Sequence, residues 1–348
     1  MSFAAIAATT ARAAPTPAPT PCAGVLLSGV SGAPVPGADT IYGESVLAVV
    51  ADGHGGWFVG GEFWSVGTAP RSNLAHVDRN GRVYANWHPN VDGIVEALAL
   101  SGSRLYVAGL FRHVAGLARP GVAAVDTVTG RPSRWLPSAR DVSEIAATRA
   151  AVYLGSQRGI VAVDPVTGAS EDPPFAGVAP FAVTPLRTYL VTGGPFYGGL
   201  HAVQTSSGEP DEWDPAARGY FSSLTAAAGR VLATGRFQIG VRRRIGLAAW
   251  TSDSARLLWI ANSDGFVNSA SVAGNRVYLG GLFRFLGGQK RPRLGAVDLR
   301  TGRPLAWTPK WNADLRWTPV AVAAGGGRVF VGAAVTSGGN APPCSRRP

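Results

Sequence analysis

LYVAGLFRHVAGLARPGVAAVDTVTGRPSRWLP, residues 105–137, returns 172 positions later as VYLGGLFRFLGGQKRPRLGAVDLRTGRPLAWTP, residues 277–309, with 17 of 33 positions identical. A third 33-residue copy begins at Trp57 and keeps Gly61, Phe63, Arg71, Asp78, Trp87 and Pro89 at the matching places. Self-similarity on this scale is the mark of a repeat architecture, in which one supersecondary unit is stacked many times. The shared residues are turn glycines, apolar residues, an Asp-x-x-Thr-Gly run and a tryptophan.

Working outward, the same ruler fills the space between the strong copies. Asp126 and Trp135 are nine apart, and so are Asp78 and Trp87, Gln204 and Trp213, Trp250 and Trp259, and Asp298 and Trp307. Asp164 is followed at that distance by Pro173, so one unit lacks its tryptophan. Each unit divides in the same way. A run such as IVEALAL (94–100) or SASVAG (269–274) reads as a first strand, and a Gly-containing turn leads to a second, LYVAGLF. A loop bearing Arg precedes the apolar GVAAVD, a third strand, and Asp-x-x-Thr-Gly turns into a fourth that carries Trp.

Four antiparallel strands repeated without helical periodicity predict a β-propeller. Complete units begin near Glu44, Gly93, Asp141, Gly177, Tyr220 and Gly265, and two strands, PVAVAAG and RVFVGAAV, remain after Asn312. The N-terminal CAGVLLSGVSGAPVPG has an apolar VLL, a turn and an apolar APV, which supplies the two strands needed to close a ring and leave no edge. The expectation is an all-β, seven-bladed propeller of four-stranded blades, its last blade completed by N-terminal strands. Residues 1–21 are read as an export-signal remnant with a Pro/Thr linker, and residues 22–348 as one domain. Cys22 and Cys344 flank the two ends that such closure brings together, so a disulfide between them is expected; it suits an oxidising compartment and closes a loop worth about 4–5 kcal/mol.

The strings AVDTVTGRPSRW (124–135) and AVDLRTGRPLAW (296–307) resemble the tryptophan-docking repeat of the PQQ-like, or quinoprotein-like, β-propellers. There, Ala-x-Asp-x-x-Thr-Gly is followed by a Trp that packs between blades. This chain places Trp135 five residues after Gly130, where that family has four, and adds Pro137 two beyond, a pattern closer to bacterial secreted propellers of the delta-60 repeat type. The resemblance runs from about Glu44 to Val335 and implies a fold more than an activity. A quinoprotein dehydrogenase would also imply carboxylate and amide ligands gathered around a metal, often with a vicinal disulfide. Neither cysteine has a neighbouring cysteine and no loop gathers such ligands, so no cofactor is expected.

The chain carries a net charge of +11, nearly all of it arginine spread along its length, with Lys290 and Lys310 the two lysines. Nucleic-acid readers concentrate charge on one element beside stacking aromatics, and that concentration is missing. No apolar run reaches the roughly 18 residues of a membrane span. His54, His76, His88, His113 and His201 show no metal-ligand spacing, so no metal site is expected. No Gly-x-Ser-x-Gly elbow is present.

Three residue sets remain. Trp87, Trp135, Trp213, Trp259 and Trp307 recur in the outermost strand and are expected to fill the seams between blades. Arg71, Arg119, Arg244 and Arg291 precede the third strands, and Asp92, Asp141, Asp264 and Asp314 lie in the inter-blade loops. Both sets belong on one face, where they are expected either to pair with each other or to form a polar funnel for an anionic or sugar-like ligand. No residue is assigned a catalytic role. The functional expectation is an exported, monomeric, non-enzymatic binding or scaffold module with a protein or carbohydrate partner. The alternative is a glycan- or lactone-directed hydrolase or lyase, which requires paired carboxylates at the channel mouth.

Overall fold

A computed structural model describes residues 24–176, 182–185, 189–194, 199–206, 209–309 and 317–335, and among these all regular structure is β. Consecutive strands pair with their neighbours in antiparallel units. The first unit is Ile41–Ala51, Trp57–Val66 and Leu74–Val77; the second is Ile94–Ser101, Arg104–Leu110 and Val122–Asp126. The third is Val142–Ala147, Val152–Ser156, Gly159–Val163 and Ser170–Ala176, and the fourth is Ala182–Pro185, Tyr189–Gly194 and Gly199–Gln204. The fifth is Ala217–Ala227, Arg230–Ile239, Arg242–Thr251 and Leu257–Asn262, and the sixth is Val267–Ala273, Arg276–Gly281 and Leu294–Asp298.

The last unit joins the two ends of the chain. Trp317–Gly325 pairs with Arg328–Val335, whose other edge takes Gly24–Ser28 in a register running from Gly24 opposite Gly332 to Ser28 opposite Arg328. The N-terminal strand thus completes the C-terminal sheet. Each unit's first strand lies against the first strand of the next, and Trp317–Gly325 returns to Ile41–Ala51, so these strands form a closed ring. The molecule is a β-propeller with its first strands around the axis.

Outer edges are short. The fourth strand is continuous in the third and fifth units, and elsewhere it narrows to single bridges, Leu27 to Pro34, Val125 to Pro132, Val203 to Pro210, Val297 to Pro304 and Val77 to Val83. Four of these bridges use proline, which offers no outward N–H to another chain. The seams hold the core. One apolar cluster joins Tyr106, Val122 and Trp135 to Val142, Leu154 and Val163 of the following unit, and another joins Leu294 and Trp307 to Val329, Val331 and Leu27.

Six first strands carry a register shift at the same depth: Val46/Ala48, Val95/Ala97, Val142/Glu144, Phe221/Ser223, Val267/Ser269 and Pro319/Ala321. Such bulges re-aim side chains. The repeated glycine opposite permits the close approach. A Cβ at Gly109 would lie 2.3 Å from the Ile94 carbonyl oxygen, and one at Gly281 would lie 2.1 Å from that of Phe266.

Candidate functional site

The recurring tryptophans form the seams. Each indole N–H donates to a carbonyl at the end of the following unit's third strand: Trp87 to Asp126, Trp135 to Asp164, Trp213 to Thr251, Trp259 to Leu299 and Trp307 to Ser28, at 2.9–3.2 Å. All five rings are buried. The Asp-x-x-Thr-Gly turn builds the receiving surface. The Asp126 carboxylate accepts the Val128 and Thr129 amides and the Thr129 hydroxyl, and Asp164 and Asp298 do the same in their own turns. Tyr106 and Tyr278 stand edge-on to Trp135 and Trp307 and donate their hydroxyls to Pro165 and Gly29 of the next unit.

Among the described residues the arginines and aspartates do not meet. Arg71 is 5% exposed and donates to the carbonyls of Pro70, Tyr84 and Ala85, its guanidinium pKa lowered by desolvation. Arg119 donates to Ala118 and Ser133, and Arg291 to Lys290, Leu305 and the Gln289 side chain. Ala85, Ser133 and Leu305 each stand two residues before the seam tryptophan, so these arginines brace the strand that delivers it. Arg244 lies within the strand Arg242–Thr251, half-buried, with no side-chain hydrogen bond among the described residues.

Asp92 accepts the amides of Arg112 and His113 and lies 2.7 Å from His113 Nδ1. Desolvation would raise its pKa, yet these bonds hold it down at about 2. Asp264 takes the equivalent amides of Arg284 and Phe285 and the Arg284 Nε, and its pKa is lowered in the same way against desolvation. Both aspartates therefore fasten small hairpins, His113–Ala118 and Phe285–Lys290, onto the loop face. Asp141 is exposed, with φ of 56°. Asp314, Cys22 and Cys344 lie outside the described residues. Among the described residues no ion pair joins the arginine set to the aspartate set.

The axial channel holds two acids that the repeat pattern did not single out. A cavity of about 320 Å³ opens between the first strands, with Glu96, Glu144, Ser222, Asn268 and Ser269 as its main polar groups and Leu47, Leu98 and Val322 among its apolar walls. Glu96 fills the bulge of its strand, and Glu144 closes the bulge of the next. Burial, reinforced by the charge of Glu96, pushes Glu144 up to about 8. Burial alone raises Glu96. On the preceding unit's second strand Glu62, outside the cavity lining, is raised by burial and by Glu44.

A second site absent from sequence reasoning is a buried pair, His76 Nε2 to Asp52 Oδ2 at 2.9 Å. The His76 ring is stacked on Phe58, with Tyr84 and Trp87 beside it. Burial lowers the His76 pKa despite Asp52, while Asp52, desolvated, is lowered by His76 and by the amides of His54 and Gly56. The two residues are 24 apart, and only the pairing of Phe58 with His76 in adjacent strands brings them together. No nucleophile is bonded to this pair, and no group of three or more His, Cys, Asp or Glu side chains gathers among the described residues.

Comparison with known proteins adds the fold. No protein-family model matches the chain, and no curated protein matches it in sequence. Among solved structures it is similar to the WD40 β-propeller domain of Doa1, with a TM-score of 0.60 and 10% identity over 84% of this chain and 90% of that one. It is also similar to the computationally designed Ika8 protein, at 0.55 and 12% over 84% and 94%. Hydrazine synthase of Kuenenia stuttgartiensis matches at 0.55 and 14%, over 81% and 90%. At such identities the likeness concerns fold alone, since one scaffold hosts many functions.

Proposed function

We propose that this chain is an exported, monomeric, seven-bladed propeller of the PQQ-like repeat type, closer to the delta-60 pattern, and that it serves as a non-enzymatic binding or scaffold module. Its protein or carbohydrate partner docks on the face that carries the inter-blade loops and the repeat arginines. The N-terminal strand's place beside Arg328–Val335 supports seven-fold closure and a Cys22–Cys344 bridge just outside it. Finding both thiols free by mass spectrometry of non-reduced peptides from exported protein would remove the bridge.

One observation carries the choice of face. Five of its charged side chains are spent internally, Arg71, Arg119 and Arg291 on backbone carbonyls and Asp92 and Asp264 on hairpin amides, whereas apolar side chains are left exposed. Leu110 is 61% exposed and Leu282, its counterpart 172 residues on, 45%, with Trp64, Leu117 and Phe285 also exposed at the same end of their units. Exposed apolar groups rimmed by polar ones mark interaction surfaces.

The test is the double substitution Leu110→Ser and Leu282→Ser, which leaves every seam intact. Partners captured by the wild-type protein, and glycans retained on an array, are expected to be lost with normal thermal stability. Retention of all of them would move the interface elsewhere. Release of reducing sugar from a polysaccharide panel, abolished by Glu144→Gln, would replace this reading by the hydrolase one, which needs two carboxylates in one cleft, and Glu96 and Glu144 line one cavity.

A further inference from the structure

In the axial cavity nearly every polar group has a structural duty. The Ser222 hydroxyl donates to the Val267 carbonyl, the Asn268 amide donates to the Pro319 carbonyl, and Ser269 Oγ accepts the Val322 N–H, at 2.7–3.0 Å. All three bonds cross from one unit to the next. The two carboxylates differ: neither Glu96 nor Glu144 has a hydrogen-bond or ion-pair partner among the described residues. Both are half-buried on first strands that line the cavity.

Among the described residues the groups around Glu144 offer it no counter-charge. From the preceding unit it faces Glu96, and from the fifth unit's first strand it faces Tyr220. Arg104, on a strand packed beside it, turns away to the Pro165 carbonyl. The first strand of the fourth unit, Ala182–Pro185, contains no titratable residue. A carboxylate partly desolvated in a cavity and left without a partner costs free energy, and buried charges that serve only stability are paired. The cavity is also at the lower end of the volumes that hold small molecules.

We propose that the axial cavity binds a small organic cation of the alkyl diammonium class, with Glu96 and Glu144 as its two anionic contacts. This site is separate from the loop face proposed for a macromolecular partner. Glu144 must ionise to receive an ammonium, so binding releases a proton. With its pKa near 8, the ionised fraction rises from about 1% at pH 6 to about 90% at pH 9. Observed affinity therefore rises about 90-fold over that interval, while alkylamines, which titrate in the lysine range, stay charged.

The experiment is calorimetric titration of the full chain with 1,4-diaminobutane from pH 6 to pH 9 at constant ionic strength. Each titration is repeated in two buffers of different ionisation enthalpy. Tightening with pH and release of about one proton at pH 7 are expected. Glu144→Gln, near-isosteric and one charge poorer, is expected to abolish both while keeping the strand circular dichroism and a cooperative thermal transition no lower than that of the wild type. Uncharged 1,4-butanediol is expected not to bind. Absence of saturable binding at pH 9, equal binding by Glu144→Gln, or equal binding of the diol would each overturn the proposal. Displacement of the diamine by micromolar Ca²⁺ would overturn it in favour of a metal.

Discussion

The docking of each tryptophan on the next unit's turn can be measured with three glycines that share a backbone conformation and differ in what lies above them. Gly274, Gly130 and Gly302 have φ of 57°, 71° and 68°. Alanine at any of them meets the left-handed backbone cost of about 1–2 kcal/mol. A Cβ at Gly274 meets nothing within 4 Å, and at Gly130 it meets Trp87 at 3.4 Å, an ordinary contact. At Gly302 it would lie 2.4 Å from Trp259 Cε3. That ring cannot swing aside without losing its bond to the Leu299 carbonyl, so overpacking adds about 1–3 kcal/mol. Urea and thermal unfolding should place Gly274→Ala and Gly130→Ala together and Gly302→Ala lower by that increment. With Trp259→Leu in the background, Gly302→Ala should fall back to the level of Gly274→Ala. Equal losses for Gly302→Ala and Gly274→Ala in the wild-type background would refute the docking argument.

Arg71→Ala strips the Tyr84 and Ala85 carbonyls of a buried charged donor and should cost about 2–3 kcal/mol in urea unfolding, with Arg71→Lys recovering only part of it. His76 and Asp52 both have folded pKa values below their unfolded ones, so their contribution is present near neutral pH and lost as pH falls; His76→Phe should flatten the loss of stability between pH 7 and pH 5. Glu144 has the opposite sign. Its folded pKa is raised from 4.5 to about 8, so its contribution is full below pH 4.5 and is lost as pH rises to 8, and Glu144→Gln should be more stable than the wild type at pH 9 by a few kcal/mol.

The seam was legible because its parts lie close together in the chain. Asp126, Thr129 and Gly130 build one turn within five residues, Trp135 follows on the same ruler, and the recurrence of that spacing needs no knowledge of the third dimension. The closing strand could be read for a related reason, since a chain with two strands left over at one end and two short apolar runs at the other has one economical way to avoid an edge. The destination of the arginines could not be read. Their spacing relative to the third strand is regular, but Ala85, Ser133 and Leu305 return beside them only after the chain has completed a further turn. The channel acids were hidden more deeply. Glu96 and Glu144 stand inside strands whose alternation looks ordinary, and one inserted residue at the bulge changes which side chain faces the axis.

That bulge also bears on what the channel is for. Six first strands share it, and in the fifth and sixth units the residues it presents, Ser222, Asn268 and Ser269, are used to sew one unit to the next. Structural need at this depth is therefore met by small neutral hydrogen-bonding groups, and in the first and last units by Leu47 and Val320 with none at all. A carboxylate is the poorest choice for the same duty, since it cannot donate to a neighbouring carbonyl and loses free energy when enclosed. Two of them on consecutive units raise that cost, each charge opposing the other. Architecture accounts for the tryptophans, for Arg71, Arg119 and Arg291 and for Asp92 and Asp264, and it leaves Glu96 and Glu144 over. At neutral pH protonation of Glu144 lowers that cost, and the proposed dication would offset it with the carboxylate ionised, which makes the axis the place where this ring departs from its own repeat.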